Sequence, residues 1–160
     1  MKRMIFSILI ALVAAPAQAA TPQTAEQFVR SLYVDLARGD LGEPLWRRSL
    51  SNSLRQLEHR YGSVVSTETA ASGAHAADPV CACQDPIGMR IVSLKVTSDK
   101  DGTIATVRVR YSWGETGMVK LMLVNEHGWK LADIFDKNEY ATGGWTRYTN
   151  DLYDDIRHPR

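Results

Sequence analysis

The length, composition and charge of the chain exclude several classes of protein. It has 160 residues with 19 basic and 18 acidic side chains, so its formal net charge is +1 at pH 7. So balanced a charge argues against a nucleic-acid partner and against electrostatic binding to a membrane surface. A chain of this size buries roughly two thirds of its unfolded surface in one domain.

The first twenty residues, MKRMIFSILIALVAAPAQAA, have the pattern of an export signal. Two positive charges precede a short apolar run, which ends at the small-residue motif Ala17-Gln18-Ala19. The run is too short for a transmembrane span, which needs roughly 20 apolar residues. We therefore expect a cleaved signal peptide at 1–19, a single domain at 20–160, a periplasmic location, and no transmembrane segment after cleavage.

Two amphipathic helices are predicted next. The first covers 24–38, with Thr24 and Gln27 as a capping box and Gly39 at its C-terminal end. The second covers about 49–61 and ends at Gly62. Its apolar stripe consists of Trp46, Leu50, Leu54, Leu57 and Tyr61. Residues 62–80 lose this periodicity and predict a long surface loop with at most one helical turn.

From Met89 the pattern alternates with period two and predicts four strands joined by short turns. We expect an antiparallel meander. Its helix-facing positions are predicted to be Val92, Leu94 and Val96 in the first strand and Ala105, Val107, Val109, Tyr111 and Trp113 in the second. The tail returns to helical spacing through Trp145, Tyr148, Leu152 and Ile156. The order predicts an α+β fold, with N-terminal helices packed on a curved antiparallel sheet of about four strands and a short C-terminal helix.

Three short motifs in this arrangement resemble a known family. They are Asp78-Pro79, Cys83-Gln84-Asp85 and the strand start Gly128-Trp129-Lys130. The chain resembles the exported bacterial family called domain of unknown function 3828, within the nuclear-transport-factor-2-like superfamily. That resemblance implies a cone-shaped α+β fold over most of the mature chain. It implies no activity and no catalytic residues, because the superfamily contains both enzymes and binding modules.

Cys81 and Cys83 are the only cysteines, and one alanine separates them. Residues two apart can bring their Cα atoms within the range of about 4.4 to 6.8 Å that a disulfide requires. An oxidising compartment favours pairing, so a local disulfide is the leading interpretation. The alternatives are zinc held with His75 or Asp85, a redox role, free thiols, a bridge to a second copy, or a catalytic Cys81 with His75 or His59 as base.

Acid–base chemistry is the other enzymatic hypothesis. Asp133 is an acid within the apolar last strand, and Tyr33 or Tyr61 are its conceivable neighbours in a pocket. The competing interpretation places Asp133 on the outer face of the sheet, or in a pair with Arg108 or Arg110. We favour that structural interpretation over a hydrolase or isomerase.

If the apolar side chains of the third strand look outward, the sheet carries an apolar patch rimmed by basic residues. The alternative, which we weigh equally, is that the protein's own helices and loop cover both faces of the sheet. The patch would combine Met118, Met122 and Val124 with Arg108, Arg110 and Lys120, and the Cys81–Asp85 loop is a further contact region. We expect a non-catalytic exported binding domain without cofactor or metal, whose partner is an envelope protein or a small ligand, and which is a candidate homodimer. The concrete version is an immunity or inhibitor protein that neutralises a secreted toxin such as a peptidoglycan amidase.

Overall fold

A computed structural model describes residues 23–67, 70, 77–100, 102–137 and 144–158. The export segment and His75 lie outside these described residues. Four helices are described: α1 (Ala25–Arg38), α2 (Glu43–Ser49), α3 (Asn52–Val64) and α4 (Tyr148–Arg157). Five strands are described: β1 (Arg90–Asp99), β2 (Gly102–Arg110), β3 (Thr116–Asn125), β4 (Trp129–Asp136) and β5 (Thr146–Arg147). The α+β class is confirmed.

Helix α1 begins and ends as its sequence predicts. The Thr24 side chain accepts from the Gln27 backbone N–H, and the Gln27 side chain accepts from that of Thr24, which forms the capping box. Gly39 ends the helix with φ of 75°, a left-handed conformation that glycine adopts without a steric penalty. The apolar stripe of the helix packs on β1 and β2.

The predicted second helix is wrong in its bounds, because two helices occupy that region. Leu50 is extended and forms an isolated parallel bridge with Leu131 of β4, to which Ser51 donates its backbone N–H at 2.7 Å. The Ser51 hydroxyl then accepts from Leu54 and starts α3. The apolar residues from Trp46 to Tyr61 keep helical spacings of 4, 4, 3 and 4 residues through this break. Only the contact of Leu50 with β4 reveals that the helix is interrupted. Trp46 consequently lies on α2, separate from α3.

The sheet is open and antiparallel, with the strands in chain order β1-β2-β3-β4-β5. The meander is confirmed, but the prediction of about four strands misses β5. Its two residues, Thr146 and Arg147, pair with Asp136 and Phe135 of β4. A two-residue strand carries no periodicity, and its neighbours Trp145 and Tyr148 had been assigned to the predicted helix.

One face of the sheet, the inner face, packs against the helices, and the opposite face is the outer face. Buried inner-face residues are Ala105, Val107 and Val109 of β2 and Val119, Leu121 and Leu123 of β3. The predicted inner positions Val92 and Trp113 are wrong: both side chains are half exposed. A β-bulge between Ile91 and Ser93 changes the alternation at Val92, and β2 ends at Arg110, before Tyr111 and Trp113.

Candidate functional site

Asp133 is a fully buried carboxylate in β4, and its cation is Arg147. Neither Arg108 nor Arg110 is its ion-pair partner, so the predicted pairing is corrected. A second bulge in the β3–β4 ladder places Asp133 opposite Met122, at a register position of the outer face. The charged partner comes from β5, a strand too short to show in the sequence pattern.

The carboxylate of Asp133 is saturated with hydrogen bonds. One oxygen accepts from the backbone N–H groups of Ile134 at 2.9 Å and Thr149 at 3.2 Å. The other accepts from the Thr149 hydroxyl at 2.8 Å and from Arg147 Nε. Thr149 lies in the first turn of α4, whose N-cap residue makes no side-chain cap bond. Asp133 therefore caps α4 from a distant strand, and its lone pairs are already used, which argues against a general base.

Tyr33 and Tyr61 have hydrogen-bond partners other than Asp133. The buried Tyr33 hydroxyl donates to the Val80 carbonyl at 2.5 Å, and burial raises the pKa of this phenol. The Tyr61 hydroxyl donates to Asp155 at 3.3 Å. The hypothetical pocket acid and its two tyrosines therefore do not form one hydrogen-bonded group.

The cysteines lie at disulfide distance within residues 77–85, which we name the disulfide loop. The sulfur atoms of Cys81 and Cys83 are 1.96 Å apart, and the Cα atoms are 5.2 Å apart, inside the range for a disulfide. Both side chains are buried. Within the described residues, no three His, Cys, Asp or Glu side chains are grouped as a metal site would require.

Hydrogen bonds from two tyrosines hold the disulfide loop onto the domain. Tyr33, which lies on α1, donates to the carbonyl of Val80, and the Tyr111 hydroxyl donates to the carbonyl of Cys81 at 2.9 Å. Tyr111 reaches that carbonyl by crossing Gly117 of β3, where any Cβ would overlap its hydroxyl. Glycine at 117 is therefore required by a close approach of side chain to backbone.

A cavity of about 830 Å³ lies between α2, α3, the disulfide loop and the start of α4. Trp46 and Leu50 line it from the α2 side, and Tyr61 from α3. Asp78 and Pro79 of the disulfide loop form another part of the wall. Its volume is within the range of roughly 300 to 1,000 Å³ that is typical of small-molecule sites. Asp133 is not among the lining residues.

The cavity lining includes a hydrogen-bonded pair that the sequence pattern does not reveal, Glu58 of α3 and Tyr148 of α4. The Tyr148 hydroxyl donates to Glu58 Oε1 at 2.5 Å across 90 residues of chain. Burial raises the pKa of Tyr148, and the neighbouring charge of Glu58 raises it further. Burial and then the charge of Asp155 raise the pKa of Tyr61 to about 12. Both phenols therefore stay protonated and act as hydrogen-bond donors near neutral pH.

The sequence carried only a partial signal for this pair. Glu58 follows Leu57 of the core stripe by one residue and precedes Tyr61 by three, so it borders the buried side of α3. Nothing local indicates that Tyr148 meets it, because that contact depends on how α4 packs against α3.

The residues predicted for the outer face lie on neighbouring strands. Arg108 pairs in register with Met118, and Met122 with Ile104. Arg108 and Arg110 are exposed, whereas Met118, Lys120, Met122 and Val124 are half-buried. The Lys120 ammonium lies 3.9 Å from the ring centroid of Trp145, so the C-terminal segment covers part of this face. Asp85 is exposed in the disulfide loop, where it accepts from the Ile87 N–H.

In the described part of the chain, no helix has both the length and the apolarity to cross a membrane. The described residues define an open-sheet α+β domain with a cavity on its helical side. No family model, curated protein or solved structure matches the chain. The resemblance to the exported family with a cone-shaped fold stays a prediction.

Proposed function

We propose that this protein is a non-catalytic, exported binding domain that takes a ligand in the cavity between α2, α3 and the disulfide loop. The observation that supports this most is the cavity itself, which has the volume of a small-molecule site and a wall that combines aromatic and aliphatic side chains with polar ones. The periplasmic location belongs to the same proposal and depends on the export-type N-terminus.

The polar groups of the molecule favour binding over turnover. Asp133, the acid that the enzymatic hypothesis needs, has all its acceptor positions occupied. In the cavity, the raised pKa values of Tyr61 and Tyr148 keep both phenols protonated, so neither is a base at neutral pH. Both hydroxyl protons are already donated, by Tyr61 to Asp155 and by Tyr148 to Glu58, so these phenols can only accept from a ligand and are poorly suited to abstracting a proton from it.

Gly62 offers a sharp test of the cavity, because it lines the wall and an added Cβ meets no atom within 4 Å. We expect the neutral apolar dye N-phenyl-1-naphthylamine to bind wild type and Gly62→Ala saturably at one site. Gly62→Phe adds a large side chain to the wall and should weaken that binding, while circular dichroism shows an unchanged fold. Equal binding by all three proteins, or no binding by any, would contradict the proposal.

A protein partner on the outer face is the second candidate, in the concrete form of an immunity or inhibitor protein against a secreted peptidoglycan amidase. The observation that favours it is the pair Arg108 and Arg110, both exposed on one face beside Met118. Methionine and arginine are enriched at protein interfaces. If this second candidate is correct, the mature chain should inhibit a secreted peptidoglycan amidase. The variant Arg108→Glu with Arg110→Glu should lose inhibition, while the α1 variant Arg30→Glu should retain it.

A further inference from the structure

The polar lining of the cavity combines both signs of charge in nearly equal number. Arg47 and Arg55 carry positive charge, and Glu43, Glu58 and Asp78 carry negative charge. Two guanidinium groups against three carboxylates leave a formal charge of −1 with histidine neutral. Arg47 and Glu43 neutralise one another, since they form an ion pair at 2.7 Å. A strongly charged ligand of either sign would therefore lie close to a lining residue of its own sign as well as to one of the opposite sign.

Hydrogen-bond donors and acceptors are also mixed along the wall. Gln56 and His59 of α3 line the cavity beside Arg55 and Glu58, and they add amide and imidazole groups that both donate and accept. A ligand that satisfies such a wall must itself donate and accept at many positions. Hydroxyl groups do both, whereas amines, carboxylates and phosphates mainly do one.

The aromatic part of the lining supplies a surface for an apolar ring face. Trp46 of α2 is half-buried and lines the cavity together with Leu50 and Tyr61. Arg47, Arg55, His59 and Gly62 are exposed lining residues, so the cavity reaches solvent along α2 and α3. A ring with apolar C–H faces and a hydroxylated edge suits both kinds of surface, and sugars have that construction.

From this lining we infer that the cavity is a binding site for a neutral sugar of one or two rings. The inference rests on the proposed ligand-binding function and specifies its ligand class. Trp46 holds the C–H face of one ring, while Arg55, Gln56, Glu58 and His59 bind its hydroxyl groups. The volume of 830 Å³ is in the drug-sized range, which includes disaccharides.

Isothermal titration with three neutral disaccharides, cellobiose, maltose and diacetylchitobiose, tests the inference. We expect at least one to bind wild-type protein saturably. The Trp46→Ala variant should bind about tenfold more weakly, since loss of an aromatic contact of this kind corresponds to about 1.4 kcal/mol. The Trp113→Ala variant is the matched control, because Trp113 is half exposed in the turn between β2 and β3 and does not line the cavity. It should bind like wild type.

Charged analogues separate this inference from its alternatives. Chitobiose with free amino groups and digalacturonate, the cationic and anionic counterparts, should bind more weakly than the neutral sugars. Tighter binding of either charged disaccharide would overturn the neutral-sugar assignment. Absence of sugar binding while the naphthylamine dye still binds would overturn the sugar alone. Loss of both would remove the proposed binding function as well.

Discussion

The sheet and the cavity wall are held in place by different means. Four long strands form hydrogen-bond ladders that two bulges interrupt, and their inner-face side chains, such as Val107, Val119 and Leu121, have no exposed surface. The cavity wall consists of α2, α3, the disulfide loop and the start of α4, which separate long-range hydrogen bonds join to the rest, such as those of Ser51 to Leu131 and Tyr33 to Val80. The inner-face side chains of the sheet are closely packed. The elements of the wall, which are attached one by one, leave an unfilled volume where they meet. The cavity is thus a consequence of the second kind of construction.

The largest expected effect concerns the junction of the two regions, where Asp133 of the sheet caps α4. The Asp133→Ala variant leaves the N–H groups of Ile134 and Thr149 without an acceptor and removes the ion pair with Arg147. We expect a loss of about 3 kcal/mol in the free energy of unfolding, because buried partners of a deleted charge stay unsatisfied. Urea denaturation measures it. The exposed Asp40→Ala is the control, and an equally small loss in both variants would contradict the capping role.

The attachment of the disulfide loop to α1 should rank second. Tyr33→Phe removes only a hydroxyl but leaves the buried Val80 carbonyl without its donor. We expect a loss of about 1 to 3 kcal/mol in urea denaturation. The matched variant Tyr111→Phe removes the bond to Cys81 from a half-buried residue and should cost less. If Tyr111→Phe were the more damaging variant, the loop would be held mainly by Tyr111, which follows β2, and not by Tyr33 of α1.

Removal of the disulfide should affect the wall more than the fold. With three residues in the closed segment, the chain-entropy model assigns the bond only about 1.6 kcal/mol. The double variant Cys81→Ala with Cys83→Ala should therefore stay folded, yet bind the naphthylamine dye more weakly, because Asp78 and Pro79 lose their fixed position in the wall. Dye titration and urea denaturation of the same samples separate the two effects. Unchanged dye affinity would show that the tyrosines alone hold the loop.

The smallest expected effect is a pH dependence near the start of α4. Burial, followed by the charges of Asp136 and Asp155, raises the pKa of Asp151 to about 6. Because the folded pKa lies above the unfolded one, the folded state favours the protonated acid. The stability from this group is complete below about pH 4, the unfolded pKa. It falls as pH rises through about 6, the folded pKa.

Asp151→Asn tests this dependence. The variant should be more stable than wild type at pH 7.5, by at most about 1 kcal/mol because the side chain is half exposed and solvent screens it. The difference should vanish near pH 4, as measured by thermal unfolding at both values. A difference that is the same at the two pH values would exclude ionisation of Asp151 as its cause.

The comparison of the two regions also explains which predictions succeeded. Alternation along β2 and β3 correctly separates buried residues such as Val107 and Leu121 from the outer face, because each strand has a period of two. The alternation fails at Val92, where a bulge intervenes, and the helical stripe from Trp46 to Tyr61 hides the break at Leu50. The candidate site is predicted less well: Tyr61 is a predicted pocket residue, whereas Glu58 is not predicted and Tyr148 is predicted only as part of the C-terminal helical stripe.

The sequence alone determined what depends on near neighbours: the caps of α1, the meander and the α+β class. It favoured the pairing of Cys81 with Cys83 among several alternatives, and the structure brings their sulfur atoms to disulfide distance. Tertiary structure decided what depends on distant residues. It placed Glu58 against Tyr148, Arg147 and Thr149 around Asp133, and the disulfide loop beside α2 and α3. The physical reason is that periodicity reports which face of an element is buried, but not which residue of another element covers that face.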